Sequence, residues 1–170
     1  MNGSSILGLE PLAATHAVEL FDCGVASLND YLVRRALSDQ SAGKSRTYVV
    51  ARAERVIGFF SLAVAAVEPA DATMRAAKGQ GNQPVPAILL ARLAVDLQER
   101  GQHIGEALLV EALRKSIAAS EIVGARLVLA HALDEKARSF YLKYGFEQSP
   151  CHDLHVMILM KDVKKSYGVN

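Results

Sequence analysis

The sequence predicts a mixed α/β sheet that is mostly antiparallel, with a parallel central pair of strands and flanking helices. Two successive strand–helix–strand steps in the second half of the chain carry this prediction, because a helical crossover returns the next strand in parallel. Two apolar segments before them read as a hairpin, which adds antiparallel strands. The 170 residues, of which 51% are apolar and 22% charged, suit one globular domain over residues 1–170.

The first half of the chain predicts a strand, a helix and a hairpin. Ser27, followed by Asp30 three residues later, resembles a capping box, and apolar residues follow it at helical spacing. The segment around Thr47 is β-branched and aromatic, which favours a strand. The expected elements are a strand over residues 6–12, a turn over 21–24, a helix from Ser27 that breaks at 41–44, and strands over 47–51 and 56–67 joined by a turn at 54–55.

The second half predicts a long loop followed by alternating strands and helices. Residues 68–86 are polar and contain glycine and proline, so we expect a loop with one helical turn at 74–77. Asp134 is placed to cap a helix that Gly145 ends. The expected elements are strands over residues 87–95, 126–130 and 156–161 and helices over 105–119 and 135–144, with the first of these strands buried on both faces.

Composition excludes several classes of protein. No run of eighteen or more apolar residues is present, so we expect no membrane span. The N-terminal segment lacks the basic region of a signal peptide, so we expect a cytoplasmic protein. We expect Cys23 and Cys151 to be reduced thiols. His152 and His155 lie near Cys151, but no fourth ligand follows at a suitable spacing, so we expect no metal site.

Charge is distributed unevenly although the net charge is only +1. Residues 1–33 hold four acids and no Lys or Arg, whereas residues 34–55 hold six basic residues against two acids. Residues 75–92 add three basic residues and no acid, and the tail adds lysines at 161, 164 and 165. Such local positive surface either meets phosphate groups or is an ordinary solvated face.

The most informative segment runs from the strand at 87–95 through a glycine-bearing loop into a helix. A helix N-terminus offers free backbone N–H groups and a positive dipole end, which together bind phosphate or pyrophosphate. The loop is not a P-loop, because no Gly-Lys-Ser/Thr ends it, and it lacks the G-x-G-x-x-G dinucleotide pattern. The alternative interpretation is a polar turn before an amphipathic helix.

A second segment combines a helix that carries Phe140-Tyr141 with Gly145-Phe146 after a short gap. It follows a buried strand, and the loop described above comes earlier in the chain. Together the two segments resemble the GNAT superfamily of acetyltransferases. In that family the pyrophosphate loop has the pattern Gln/Arg-x-x-Gly-x-Gly/Ala, which residues 100–105 match except that His103 stands where the first glycine is usual.

The resemblance implies acetyl-CoA as the cofactor and a specific set of site residues. Tyr141 matches the family tyrosine that protonates the departing CoA thiolate, and the backbone N–H of Val95 matches the group that polarises the thioester carbonyl. The implied cofactor-binding residues are Leu93, Ala94, Val95, Arg100, Gly101, Gln102, His103, Ile104, Gly105, Glu106, Ala132, Ala137 and Phe140.

Many GNAT enzymes place a glutamate general base on the strand before the loop, and this chain has only Asp96 at the end of that strand. Either water relays the proton, or the substrate amine is already largely neutral. An α-amine fits the second alternative, because its reference pKa is ~7.7–8.0, far below that of a lysine side chain.

The resemblance narrows to GNAT toxins of type II toxin–antitoxin systems, over roughly residues 20–162. It is carried by Phe21-Asp22-Cys23-Gly24 with Ser27-Leu28-Asn29, residues 45–50 and 57–62, Ala91-Arg92-Leu93-Ala94-Val95-Asp96, residues 131–135 and Gly145-Phe146. Such toxins acetylate the α-amine of the amino acid on charged tRNA and thereby block translation. They are usually homodimers that a ribbon-helix-helix antitoxin holds in check.

Three functions stay open at this point. The first is the aminoacyl-tRNA acetyltransferase toxin, the second is an acetyltransferase of a small amine or a protein N-terminus, and the third is a non-catalytic acyl-CoA-binding or antitoxin-binding module. The first needs cations for the tRNA phosphates. The candidates are Arg34, Arg35, Lys44, Arg46, Arg75, Lys78 and Arg92. Arg92 interrupts an apolar strand, where it either contacts phosphate or forms a structural ion pair.

Overall fold

The computed structural model describes residues 8–168, and this part of the chain contains seven strands and six α-helices. Two short 3₁₀ turns, Pro69–Asp71 and Leu97–Glu99, complete the regular structure. The strands are β1 Glu10–Pro11, β2 Arg46–Arg52, β3 Arg55–Val67, β4 Val85–Val95, β5 Leu127–His131, β6 Glu147–Gln148 and β7 His155–Leu159. The helices are α1 Ala26–Arg34, α2 Ala36–Ser41, α3 Met74–Ala77, α4 Ile104–Ser120, α5 Glu135–Lys143 and α6 Met160–Tyr167.

The strands form one mixed sheet in the order β1-β2-β3-β4-β5-β7-β6. Strands β4 and β5 are parallel, in the register Ala87 to Leu127 through Leu90 to Ala130. Strands β2 and β3 form an antiparallel hairpin, and β7 pairs antiparallel with both β5 and β6. The mixed sheet with a parallel central pair is therefore confirmed, and α4 is the crossover that makes the pair parallel.

The chain divides into two compact units, and β3, β4 and α4 each contribute to both. The first unit comprises residues 1–63 and 91–112, and the second comprises residues 64–90 and 113–170. The core of the first unit packs α1 and α2 against β2 and β3, with Phe59 at its centre in contact with the rings of Phe21 and Tyr31. The core of the second unit packs α3 against β5 and β7, through Ala76, Leu127 and Leu159 among others.

The predicted start of the first helix is wrong by one residue, and no capping box forms. Val25 is the N-cap and makes no side-chain capping bond. An Asx turn occupies this place instead, because Asp22 Oδ1 accepts from Gly24 N at 2.8 Å, and Asn29 Oδ1 accepts from Cys23 N at 2.9 Å. The helix also breaks earlier than predicted, at Arg35, whose ψ of −32° with φ of −125° lies outside the helical region.

The hairpin turn lies at Ala53 and Glu54, one residue before the predicted position. Both residues have positive φ, 47° and 72°, which is the two-residue turn whose twist matches antiparallel strands. Glycine or asparagine usually marks such a turn, and neither is present here. Arg55 therefore begins β3 rather than closing the turn.

Several other boundaries differ from the sequence expectations. Strand β1 covers only residues 10 and 11 of the predicted 6–12, and residues 6 and 7 lie outside the described part of the chain. Strand β4 is mostly buried over residues 85–90 but mostly half-buried over 91–95, so burial on both faces holds only for its first half. The last strand ends at Leu159, because Met160 and Val163 bury one face of the unpredicted helix α6.

The predicted helical turn at 74–77 is confirmed as α3. Its C-terminal carbonyl groups are bound by a distant arginine, since Arg126 Nε donates to the Ala76 oxygen at 2.7 Å and Nη2 donates to the Arg75 and Lys78 oxygens. The Asp134 cap is also confirmed, because its Oδ1 accepts from Ala137 N at 2.8 Å. Within residues 8–168 no helix has the length and apolar character needed to cross a membrane.

Candidate active site

The loop between β4 and α4 adopts the backbone that the sequence pattern demands. Gly101 and His103 both have positive φ, 81° and 60°. His103 therefore keeps the left-handed conformation that favours glycine at its position. Its side chain is 80% exposed, with Nδ1 3.6 Å from Glu106 Oε2. The imidazole turns to solvent and does not cover the backbone of the loop.

Helix α4 begins directly after this loop, at Ile104. The amide of Ala107 bonds to the His103 carbonyl at 3.2 Å, and the amides of the first turn before it have no intrahelical acceptor. A Cβ on Gly105 would lie 3.7 Å from Val95 Cγ2, which is an ordinary van der Waals contact, so the helix N-terminus packs close to the end of β4 without requiring glycine there. The first turn therefore fits a pyrophosphate, because its amides and dipole favour an anion.

Glu99 anchors the loop, a role that no pattern in the sequence indicates. Its side chain is 7% exposed and accepts from Arg52 Nε and Nη2 at 3.1 Å each and from Arg55 Nη2 at 3.3 Å. Gln102 Nε2 also donates to Glu99 at 3.0 Å, and Arg52 Nη2 donates to Gln102 Oε1 at 3.1 Å. These bonds hold the loop to the β2–β3 hairpin. The hydrogen bonds from Arg52 lower the pKa of the Glu99 carboxyl below its usual value.

Asp96 has a structural role at the end of β4. Its side chain is 3% exposed. Its Oδ2 accepts from Asp22 N at 3.1 Å and its Oδ1 from Gln98 N at 2.9 Å. Arg55 Nη1 lies 4.0 Å from Oδ2. A carboxylate that is bound to two backbone amides is poorly placed to take a proton from a substrate.

Three of the predicted cofactor residues of the first unit lie on the C-terminal half of β4. Ala94 is buried, and Leu93 and Val95 are half-buried. The strand ends where the Asp96 amide donates to the Ile57 carbonyl of β3 at 2.9 Å. Arg100 follows the 3₁₀ turn and is exposed, as are Gly101 and Gln102.

Tyr141 lies on α5, in the second unit, and only 7% of its surface is exposed. Its ring packs at 5.4 Å from the Phe140 ring and 5.2 Å from the Phe146 ring, measured between centroids. Burial raises the pKa of Tyr141 to about 12, so the phenol keeps its proton at neutral pH. Among the described residues its hydroxyl has no hydrogen-bond partner, which leaves it available to a ligand.

The second unit also holds the remaining predicted cofactor residues. Ala132 is buried and its amide donates to the Leu154 carbonyl at 2.7 Å. Ala137 is half-buried in the first turn of α5, and Phe140 is half-buried one residue before Tyr141. The Phe140 ring also contacts the Tyr144 ring, 5.2 Å away, so it helps to fix the aromatic side of α5.

Arg92 has a partner that neither sequence interpretation included. Its guanidinium carbon lies 3.6 Å from the centre of the Tyr31 ring, a cation–π contact. Within residues 8–168 it makes no ion pair, so the structural ion pair is not the reason for its place on β4. The Tyr31 hydroxyl in turn lies 2.9 Å from Ser45 Oγ. Ser45 stands between Lys44 and Arg46 in the sequence, two of the other basic candidates.

The other basic candidates fall into two groups. Arg34, Arg35, Lys44 and Arg46 are exposed in the first unit. In the second unit Arg75 is bound to Glu147 at 2.7 Å and to Asp162 at 2.9 Å. Lys78 is exposed in that unit and its carbonyl accepts from Arg126.

Three histidines of the second unit form a stack. The His131 and His155 rings lie 3.9 Å apart and the His152 and His155 rings 4.4 Å apart, with His152 Nε2 3.3 Å from Asp71 Oδ1. Burial lowers the pKa of His131 and of His155. Over residues 8–168 no three His, Cys, Asp or Glu side chains are placed to hold one metal ion. Cys23 is buried and Cys151 exposed, both as free thiols.

Comparison with known proteins agrees with this geometry. Residues 43–148 match the model of the acetyltransferase (GNAT) domain. A tRNA-acetylating toxin of Mycobacterium tuberculosis is 44% identical over 151 residues, which cover 89% of this chain and 90% of the relative.

Two solved structures of AtaT are also similar. AtaT complexed with acetyl-methionyl-tRNAfMet has a TM-score of 0.85 and 26% identity, over 92% of this chain and 96% of that one. A Tyr-to-Phe variant of AtaT bound to the C-terminus of the antitoxin AtaR and acetyl-CoA has a TM-score of 0.80 and 25% identity, over 92% and 95%. The chain, which has this loop, this helix N-terminus and a buried tyrosine on α5, therefore belongs to the GNAT family of acetyltransferases.

Proposed function

We propose that this protein transfers the acetyl group of acetyl-CoA to the α-amine of the amino acid on charged tRNA, and that it thereby acts as a toxin that blocks translation. The observation that carries the proposal is the loop at residues 100–105, whose left-handed backbone at His103 leads into the N-terminus of α4. The 44% identity to a tRNA-acetylating toxin supports charged tRNA as the acceptor.

We assign acetyl-CoA to the residues that the resemblance to GNAT enzymes implies. The backbone amides of residues 101–106 bind the pyrophosphate, and Arg100 directly precedes them in the chain. The backbone of Leu93, Ala94 and Val95 lines the acyl end, and Ala132, Ala137 and Phe140 line the pantetheine arm. Acetyl-CoA supplies an acetyl group that is activated as a thioester.

Tyr141 is the proposed general acid. Its burial keeps the phenol protonated at neutral pH, and its hydroxyl is free of hydrogen bonds within residues 8–168. A protonated phenol that has no competing acceptor can donate to a departing thiolate sulfur.

The α-amine as acceptor fits the lack of a general base on β4. Asp96 is bound to the amides of Asp22 and Gln98, so it is not available to take a proton. An α-amine with a pKa of ~7.7–8.0 is substantially neutral at physiological pH, whereas a lysine amine is not. The acceptor then needs positioning more than deprotonation.

Exposed cations are the proposed contacts to the tRNA phosphates. Arg34, Arg35, Lys44 and Arg46 serve this role in the first unit, and Arg92 offers guanidinium donors that no carboxylate occupies. Lys78 serves it in the second unit. Arg75 is the weakest of the predicted contacts, because Glu147 and Asp162 already neutralise it.

We also propose a single functional domain over residues 1–170, a homodimer, cytoplasmic action and control by a ribbon-helix-helix antitoxin. The complex of AtaT with the C-terminus of its antitoxin supports an antitoxin partner of some kind. Charged tRNA is a cytoplasmic substrate, which supports the location. Sedimentation of the purified protein, alone and with the product of a neighbouring small gene, tests the dimer and the partner.

The decisive experiment measures transfer of label from acetyl-CoA to a total pool of charged tRNA. We expect label on the amino acid with the wild type and a loss of about 100-fold or more in rate with Tyr141→Phe. Tyr144→Phe, which alters a neighbouring tyrosine outside the proposed site, is the matched control and should keep the rate. Unlabelled tRNA with intact acetyl-CoA binding would reassign the enzyme to a small amine or a protein N-terminus. Failure to turn over any amine would make it a binding module.

A further inference from the structure

We propose that a groove in the second unit, lined by Arg126 and Lys161, binds a backbone phosphate of the tRNA. The inference rests on the proposed function, which it extends with a second contact region. The groove is open to solvent, has a volume of about 380 Å³, and has no acidic residue in its lining. Gln80 adds an amide to the two cations, and the remaining lining residues are Pro86, Gly124, Ala125 and Leu159.

The backbone places the two cations side by side. Arg126 N donates to the Pro86 carbonyl at 2.8 Å, which ties the start of β5 to the start of β4. The Arg126 carbonyl accepts from Met160 N at 2.8 Å, and Lys161 is the next residue in the chain. Residues 35 positions apart in the sequence therefore lie near each other where β5 begins and β7 ends.

The positive charge of Arg126 is not compensated. Its guanidinium donates to the carbonyl oxygens of Ala76, Arg75 and Lys78. Carbonyl groups satisfy hydrogen bonds but carry no net charge, and within residues 8–168 Arg126 has no carboxylate partner. These bonds also fix the orientation of the guanidinium, so little side-chain entropy is lost when a ligand binds.

Lys161 is likewise without a carboxylate partner among the described residues. The nearby acids are engaged elsewhere, since Asp162 and Glu147 bind Arg75, and Glu121 binds Lys164 at 2.9 Å. The groove therefore presents two unneutralised cations and one amide. An anion with several acceptor oxygens satisfies such a set, and a phosphodiester is one.

The open form of the groove favours a polymer over an enclosed metabolite. A polyanion lies across an open surface and contributes one phosphate at each cationic site, as tRNA does on proteins that read its backbone. The predicted loop for the acetyl-CoA pyrophosphate lies in the first unit, so this groove adds an anion site outside that loop.

The test compares tRNA affinity across salt concentrations for the full-length wild type, Lys161→Ala and Lys161→Glu. The affinity for uncharged total tRNA is measured by fluorescence anisotropy, because this ligand binds without turnover. The loss of one phosphate contact should weaken binding about fivefold at 0.15 M salt and reduce the slope of log K against log salt by about 0.9. Lys161→Glu should weaken binding further, because it adds repulsion.

Lys165→Ala and Lys165→Glu are the matched controls, since Lys165 is an exposed lysine of the same helix that does not line the groove. They should bind tRNA as the wild type does, and all variants should keep the wild-type Kd for acetyl-CoA. Wild-type affinity and salt slope in both Lys161 variants would overturn the inference. The inference would also be overturned if Lys161→Ala weakened the binding of inorganic phosphate to the groove but left the affinity for tRNA unchanged.

Failure of the groove is distinct from failure of the proposed function. If charged tRNA is acetylated but Lys161 variants bind tRNA normally, only the groove is wrong. If no charged tRNA is acetylated and the protein does not bind tRNA at all, the proposed substrate and the proposed phosphate-binding groove are both wrong.

Discussion

The guanidinium of Arg92 lies over the Tyr31 ring, 3.6 Å from its centre, and joins β4 to α1 within the first unit. Tyr31 also packs against the apolar core, because the Tyr31 and Phe59 rings stack with centroids 6.4 Å apart. The Tyr31 hydroxyl reaches Ser45 Oγ at 2.9 Å. A charge on a largely apolar strand is thus stabilised by an aromatic ring and keeps its hydrogen-bond donors free.

The pair should show a measurable coupling energy. We expect Arg92→Ala and Tyr31→Leu to be non-additive by about 0.5–2 kcal/mol in the free energy of unfolding, as for a partly desolvated cation–π pair. Urea denaturation of the two single variants and the double variant measures this energy. Arg92→Lys should recover only part of it, since the ammonium lacks a planar face. Full additivity would mean that the contact contributes nothing.

The rate of acetyl transfer should rise with pH as the acceptor amine loses its proton, and it should not fall again at the alkaline end of the measured range. Tyr141 acts in its protonated form, and its raised pKa of about 12 means that activity is lost only as the pH rises through that value. The acceptor α-amine acts in its neutral form, so kcat/KM should rise through pH ~7.7–8.0. Initial rates with charged tRNA from pH 6 to 9.5 test this. A fall in rate above pH 8.5 that Tyr141→Phe abolishes would contradict the raised pKa.

His103 should be replaceable by glycine. His103→Gly removes the strain of the left-handed backbone, about 1–2 kcal/mol, but it also adds freedom to the unfolded chain, about 0.5–1 kcal/mol. The free energy of unfolding should therefore stay within about 1 kcal/mol of the wild type, with acetyl-CoA affinity retained. His103→Val should lower both, because a β-branched residue tolerates this backbone poorly. Calorimetric titration with acetyl-CoA and urea denaturation check the two outcomes. Weaker acetyl-CoA binding by the glycine variant would instead assign the imidazole a contact of its own.

Glu99 should act as a positioning residue for the loop. Glu99→Gln keeps the shape but removes the charge that binds Arg52 and Arg55, so we expect a higher KM for acetyl-CoA with a smaller change in kcat and a loss of about 1 kcal/mol in stability. Glu135→Gln, on an exposed side chain, is the control. Equal losses in kcat and kcat/KM would place the effect on the chemical step instead.

The Glu99 contribution should also depend on pH. The pKa of Glu99 is lower in the folded protein than in the unfolded chain, so its stabilisation is present above the unfolded value of ~4.3 and is lost as the pH falls through the folded value. The difference in unfolding free energy between the wild type and Glu99→Gln should therefore shrink as the pH falls below about 4. Urea denaturation at a series of pH values measures it. A difference that is constant down to pH 3 would exclude the charge as its origin.

Local patterns predicted the elements that hold the proposed site residues. Helix α5 and its Asp134 cap could be read from the sequence, because a capping side chain and its amide lie three residues apart. The β4-loop-α4 segment could also be read from the sequence, because its apolar strand, its loop glycines and its helical spacing are all local features. The Ala53–Glu54 turn and the Arg35 break could not, because neither carries the glycine, asparagine or proline that marks such a position.

The sequence by itself determined the parallel central pair and the order of the strands and α-helices from β2 to α5, because these depend on residues that are close in the chain and on the periods of helix and strand. The acetyl-CoA loop and Tyr141 were selected by the resemblance to GNAT enzymes, and their roles stay predictions. Only the tertiary structure decided that Glu99 is held by Arg52, that Arg92 rests on Tyr31, and that Arg126 meets Lys161. Such pairs join residues between 35 and 61 positions apart, and a charged side chain gives no local sign of the partner that packing will bring to it.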